Sequence, residues 1–297
     1  MGLIDLFKKD RLQVAWLYAA EGVLWQIHAG SHRFLVGEER DIGKKEASFF
    51  CVERRTGEVL WRNMNPGERW WIGIEAVTEE VVVFHGFATP DMPGHRSITV
   101  ADLRSGRVLW SNPELKLLAV AQSSITALAE SRESRKAVQI DIRTGKILKE
   151  SDPELAGIQP PLAEGRAVDQ GVLFPSPVSG EAELEPDVGR CLRQHVASGP
   201  WPAPVLLLDF PGVVILQISE VRPDRREEHP GVRSVIKIVD RQDGSLLYSD
   251  TLQERTSVAS PQSFFVQDGL LYYVRERTTL CALILPGGQS GDRGRVE

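Results

Sequence analysis

The densest group of side chains able to do chemistry lies between positions 75 and 95, where Glu75, His85, Asp91 and His95 put two carboxylates and two imidazoles within 21 residues. Such a set can ligate a divalent metal, or divide general acid and general base duties between its members. The bland alternative makes His85 a hydrogen-bonded sheet histidine, Asp91 and Pro93 a turn, and Glu75 a charge kept wet by a channel. A second set is the run Glu38-Glu39-Arg40-Asp41, which could offer carboxylates to a cation or a guanidinium to an anion. Its bland alternative is a solvated loop. Trp70 and Trp71 have flat faces for stacking a sugar or a base, or else fill space between packed sheets. There is no Gly-x-Ser-x-Gly elbow and no His-Glu-x-x-His helix, and Gly86 and Gly94 open no phosphate loop because no helix follows them.

These groups have to be held by strands. If Val77 pairs with Val81 around Thr78-Glu79-Glu80, alternation puts Trp71, Gly73, Glu75 and His85 on one side of a hairpin, with Gly73 opposite His85 and Glu75 opposite Val83. That hairpin precedes a repeated motif. Cys51 to Trp61, Val100 to Trp110, Gln139 to Lys149 and Ile238 to Tyr248 share one frame. In each, an acid (Glu53, Asp102, Asp141, Asp240) stands four residues before a glycine (Gly57, Gly106, Gly145, Gly244) and eight before a large side chain. An extended run, a turn whose glycine can take positive φ, and a second extended run make a β-hairpin. The acid and the Thr, Ser or Asp before glycine can tie down turn amides, and the closing Trp or Tyr can anchor one unit to the next. The acids are 49, 39 and 99 residues apart, which suits a unit of 40 to 50 residues with one degenerate copy.

Val205 to Phe210 and Val213 to Ile218 form a further hairpin around Pro211-Gly212, and four antiparallel strands per unit is the signature of a propeller blade. The pattern Asp-x-x-Thr-Gly-x-Val-Leu-Trp resembles the quinoprotein-type (PQQ) β-propeller repeat over most of the chain outside 151–203. Trp70 to Glu75 together with His85 to His95 is similar to a bacterial propeller family of unknown function. The resemblance implies an all-β fold: a single β-propeller domain over 1–285, with five regular blades plus an irregular sixth or a helical insertion at about 151–203. It brings no activity with it. Redox enzymes with this repeat hold their quinone against an adjacent Cys-Cys pair, which is missing here, so PQQ is rejected and no cofactor is expected.

Prolines crowd residues 151–203. Pro186-Asp187 opens a helix whose Val188, Cys191, Leu192, His195 and Val196 share a face. The strand beginning at Leu12 and ending at Trp16 looks like the last strand of a unit, and it is expected to complete the C-terminal blade and close the ring. Residues 1–10 lead in, and 286–297 read as a disordered tail.

Composition narrows the function. Thirty-five Lys+Arg against 41 Asp+Glu give a formal charge of -6, against a nucleic-acid groove. No apolar run is long enough to span a membrane. Cys51, Cys191 and Cys281 form no framework, and the N-terminal apolar run is too short for a signal peptide, so cytoplasm is expected. The expectation is a binding or scaffolding module rather than an enzyme. Its docking face carries the long loops Glu39 to Ala47, Ala88 to Arg96 and Glu220 to Val232, for a protein or a small polar ligand. The alternative is a hydrolase or lyase, divalent-metal-dependent through His85, Asp91 and His95, at the mouth of a central channel.

Overall fold

The computed structural model describes residues 12–89, 92–130, 134–152, 171–179, 184–196, 204–222, 231–256 and 263–287. They divide into two compact units, one made of residues 20–170 and the other of 1–19 with 171–297. All sheets are antiparallel, and among the described residues there is one helix.

Val14–Ala19 (β1) belongs to the second unit. The first unit holds three four-stranded sheets, each with its strands in sequence order. The first is Val23–His28 (β2), Phe34–Asp41 (β3), Glu46–Glu53 (β4) and Val59–Met64 (β5). The second is Ile72–Val77 (β6), Val81–Thr89 (β7), Met92–Asp102 (β8) and Val108–Asn112 (β9). The third is Leu115–Val120 (β10), Ser124–Glu130 (β11), Arg135–Asp141 (β12) and Ile147–Ser151 (β13). Each is the up-and-down meander that a propeller blade has.

Alternation explains the stacking. Val82 and Phe84 of β7 join Val36, Phe49 and Cys51 of the first sheet in one core, while Val81 and Val83 join Leu117, Ile125 and Ile140 of the third. A strand buried on both faces reads as an unbroken apolar run, and Val81-Val-Val-Phe84 is one.

The repeated turns behave as their residues dictate. Gly57, Gly106, Gly145 and Gly244 all take left-handed φ between 67° and 75°. Glu53, Asp102 and Asp141 each accept the N–H and hydroxyl of the Thr or Ser three residues on. The Thr144 hydroxyl and N–H hold the Asp141 carboxyl below its ordinary range. The closing tryptophans dock on the following turn. Trp61 donates its indole N–H to the Leu103 carbonyl at 2.8 Å and Trp110 to that of Ile142 at 2.9 Å. A Cβ on Gly106 or Gly145 would stand 2.9 Å from the indole, so glycine is also what lets the ring lie flat on the turn.

In the second unit, Val172–Leu173 (β14) and Ser176–Val178 (β15) are short edge strands, followed by the helix Pro186–His195 (α1). Val205–Phe210 (β16), Val213–Arg222 (β17), Gly231–Asp240 (β18) and Leu246–Thr256 (β19) continue the sheet that β15 begins. Phe264–Gln267 (β20), Leu270–Arg275 (β21) and Thr279–Ile284 (β22) form the last sheet, with β14 on one edge and β1 on the other.

For 151–203, the described part is therefore two edge strands and a helical insertion, with no sixth sheet among the described residues. Val188, Cys191 and Leu192 pack on the sheet below. The helix also covers the fourth repeated turn. His195 Nε2 lies 2.8 Å from the Gly244 carbonyl, and a Cβ on Gly244 would stand 1.9 Å from Gln194 Oε1. There α1 takes the place that an indole has in the first unit.

The expected pairing of an N-terminal strand with the last sheet is present, shifted to Val14–Ala19. Trp16 pairs with Ala282, Leu17 with Cys281 and Tyr18 with Leu280. Deleting Leu12 to Trp16 is expected to expose the β22 ladder and cause aggregation or a sharp fall in melting temperature. Size-exclusion chromatography with thermal unfolding checks this, and a monomeric deletion variant as stable as the parent would refute the role of β1.

Candidate functional site

The site forms where β3 of the first sheet meets β6 and β7 of the second. The run Glu38 to Asp41 is not a loop. It is the end of β3, and the connection to β4 is only Ile42 to Lys45. The charges are not solvated either: Glu38, Glu39 and Arg40 are 1%, 3% and 7% exposed. Alternation sends Glu38 and Arg40 to the face shared with the second sheet, and Glu39 and Asp41 to the other.

All three nitrogens of Arg40 are engaged. Its Nε donates to Glu38 Oε1 at 2.5 Å, and its two terminal nitrogens donate to the carbonyls of Trp70 at 3.2 Å and Ile72 at 2.9 Å. Trp25 covers the guanidinium at 5.0 Å and Trp70 at 4.7 Å, a double cation–π contact. Burial pushes the Glu38 carboxyl above its ordinary range, against the pull of Arg40 and then of His85. So His85 stands within electrostatic reach of Glu38, and its Nδ1 is 3.0 Å from Glu75 Oε2.

Gly73 does pair with His85, but the register around Glu75 differs from simple alternation. Val77 pairs with Val82 and Ala76 with Val83, and the ladder shifts between Ile74 and Ala76. Glu75 therefore occupies a β-bulge, a place where strands re-aim a side chain, and it reaches His85 rather than standing opposite Val83. Phe87 meets the His85 ring edge-on at 4.7 Å.

Glu38, Arg40, Trp70, Glu75 and His85 thus come together. Trp71 is next to them, 39% exposed, with its ring 6.5 Å from that of Trp70. Asp41 is apart, pairing with Lys44 at 2.9 Å on the exposed turn. Asp91 lies outside the described residues, and His95 is placed only by its backbone, paired with Phe87. Among the described residues, no three His, Cys, Asp or Glu side chains converge as a metal ion requires.

The other expected loops change in the same way as the first. β7 runs to Thr89 and β8 starts at Met92, so Ala88 to Arg96 is mostly strand. β17 runs to Arg222 and β18 starts at Gly231, with 223–230 outside the described residues.

Two features escaped the sequence. Trp25, 50% exposed, completes the Arg40 box from β2. On the opposite face of β3 lies a cavity of about 560 Å³ lined by Glu21, Glu39, Asp41, Lys44, Glu46, Ser48, Asn63, Asn65 and Arg69 among others. Glu39 Oε2 accepts the N–H groups of Glu21 at 3.0 Å and Gly22 at 3.4 Å. A charged run inside an otherwise apolar strand, Phe34-Leu-Val-Gly-Glu-Glu-Arg-Asp41, was the available signal. The thiols add no nucleophile here, since burial pushes Cys51 up to about 12.

A search of curated proteins returns no match. Among solved structures, the chain is similar to the β-propeller domain of the Trilobed protease from Pyrococcus furiosus. The identity is 12%, over 87% of this chain and 65% of that one, with a TM-score of 0.29. It is similar to the acylaminoacyl peptidase of Pyrococcus horikoshii at 11% identity, over 87% of this chain and 36% of that one, with a TM-score of 0.30. The WD40 β-propeller domain of Doa1 matches at 11% identity, over 93% and 97%, with a TM-score of 0.28. The chain spans less than two thirds of the length of the first two. Residues 30–110, which carry β3 to β8, the start of β9 and Glu38, Arg40, Trp70, Glu75 and His85, match the family model described as a domain of unknown function, DUF4905.

Proposed function

We propose that this chain is a β-propeller of the quinoprotein-type repeat that works as a binding or scaffolding module. Its contact surface is the sheet end around Trp25, Trp70 and Trp71. The observation that carries this is the state of Arg40: its three nitrogens donate to Glu38 and two backbone carbonyls, and it lies over two indoles, those of Trp25 and Trp70. A guanidinium spent in this way serves as a strut. It props Trp25, which stays half exposed, and Trp70, whose ring is 6.5 Å from that of the exposed Trp71, and large aromatic side chains are the usual anchors of binding surfaces. The docking surface is thus moved from long loops to the rigid ends of long hairpins. A formal charge of -6 and three buried free thiols support a cytoplasmic setting and a partner that is neither nucleic acid nor membrane.

The rival is a hydrolase or lyase using His85 as base, oriented by Glu75 at 3.0 Å. The two part on one experiment. Purified protein is assayed on ester, phosphoester and glycoside panels, with and without Zn²⁺ or Mn²⁺, beside His85→Ala and Glu75→Gln. The module predicts no turnover that depends on either residue. Turnover abolished by His85→Ala would replace it with the enzyme.

A further inference from the structure

We propose that the edge of β16 is a docking site for an extended, proline-free peptide segment of another protein, and that the chain's own residues 171–179 cover it in that partner's absence. This goes beyond the tryptophan surface and does not depend on it.

Each sheet of the first unit has four strands, but both sheets of the second unit carry a fifth. Both extra strands come from one short segment. Val172 and Leu173 pair with Gln267 and Val266 of β20. After Phe174 and Pro175, the residues Ser176, Pro177 and Val178 pair with Leu207, Leu206 and Val205 of β16. The segment thus crosses from the edge of one sheet to the edge of another. Adding a strand to a sheet edge is a general mode of peptide recognition, in which backbone bonds give affinity and alternate side chains give specificity. Here the chain does it to itself, which shows that the β16 edge accepts an added antiparallel strand.

The fit is poor, and the faults lie in the cover rather than in the edge. β16 spans Val205–Phe210, and its first four residues are all buried. β15 pairs with Val205, Leu206 and Leu207, so among the described residues Leu208, Asp209 and Phe210 pair only with β17. Pro177, opposite Leu206, has no N–H to give to a ladder. Ser176 sets a polar side chain opposite the buried Leu207. Of this strand only Val178 packs on a core, the one that holds Val205, Leu207 and α1. Leu173 and Phe174 stay 45% and 49% exposed. Short proline-bearing strands guard an edge from unwanted pairing, and this one leaves half of β16 unguarded. A cover so short and so exposed opens easily. A longer segment laid along the whole of β16 gains the ladder that β15 lacks. Val205 and Leu207 face the core beneath α1, so aliphatic side chains at the two opposite positions are what this edge selects.

The test is fluorescence anisotropy with a dye-labelled peptide, the sequence of residues 171–179 carrying Pro175→Thr, Ser176→Val and Pro177→Thr. The parent chain is compared with a loosened variant, in which Val172→Gly, Phe174→Ser and Val178→Gly remove the apolar anchors of the cover. The loosened variant should bind roughly tenfold tighter or more, because the chain's own segment no longer competes. A second variant, Pro177→Cys with Leu206→Cys, ties directly opposite residues by a disulfide and should bind only after reduction. It carries the test alone if circular dichroism shows that the loosened variant does not fold. Equal affinity of parent and loosened variant would overturn the proposal, as would binding by the oxidised variant or no binding by the reduced one. Binding of the same peptide N-methylated along its backbone would overturn it too, since no ladder could then form. A loosened variant that ignores the peptide and dimerises with rising concentration on size-exclusion chromatography would give the edge to a second copy of this chain instead.

Discussion

Replacing Gly106 by alanine is expected to destabilise the first unit by about 3 kcal/mol, because two separate costs fall on one atom. The backbone there has φ +67°, where an L side chain costs about 1–2 kcal/mol. The new Cβ would also stand 2.9 Å from the Trp61 ring. That indole is pinned by its N–H to the Leu103 carbonyl at 2.8 Å and cannot slide away without losing the bond. Forcing it off adds roughly 1–3 kcal/mol. The two costs separate in a double-mutant cycle. In a Trp61→Ala background the steric cost disappears and only the left-handed one remains, so Gly106→Ala should hurt less there. Urea unfolding of the four proteins reads the difference. Equal losses in both backgrounds would mean that the indole does not press on the turn. Gly145 with Trp110 should repeat the result, since a Cβ there also stands 2.9 Å from its ring.

The turn was legible because its bonds are local and repeated, and the docking of the indole on the next turn because the same large residue recurs at one place in the frame. An acid four residues before a glycine fixes a turn by bonds inside the turn, and four copies in one frame state the period without any tertiary information. The unbroken run Val81 to Phe84 likewise declared a strand buried on both faces. What was not legible depended on distant partners. Glu38-Glu39-Arg40-Asp41 reads as a solvated loop because a run of charges usually finds water. It is buried strand because carbonyls of Trp70 and Ile72, 30 and 32 residues away, take up the guanidinium. The Glu75 bulge was hidden for a related reason: alternation has no term for an extra residue, so the carboxylate was placed opposite Val83 when the bulge turns it to His85. Helix α1 was visible as a helix, but its cover over Gly244 is a contact across 50 residues that no local pattern encodes.

The same long-range network yields the second large effect. Arg40→Met should cost about 3–5 kcal/mol, since it strands a carboxylate that is 1% exposed with no cation at 2.5 Å. The cost must depend on pH. Burial already lifts the Glu38 carboxyl above its ordinary 4.5, so the native fold holds that proton more tightly than the unfolded chain does. For a carboxyl raised in this way, its contribution to stability is full below the unfolded value and is lost as pH rises through the folded one. Removing Arg40 takes away the strongest opposing influence and raises the folded value further, widening the window. Arg40→Met should therefore lose stability more steeply than the parent as the pH is raised from about 4.5 to neutral. Adding Glu38→Gln removes the titrating group, so the double variant should recover most of the loss and run parallel to the parent's remaining pH dependence. Urea midpoints at both pH values for the parent, the single and the double variant decide the matter. A single variant whose deficit is the same at the two pH values, or a double variant no better than the single, would mean that Arg40 supports the tryptophans by packing alone and that the charge of Glu38 is carried by other neighbours.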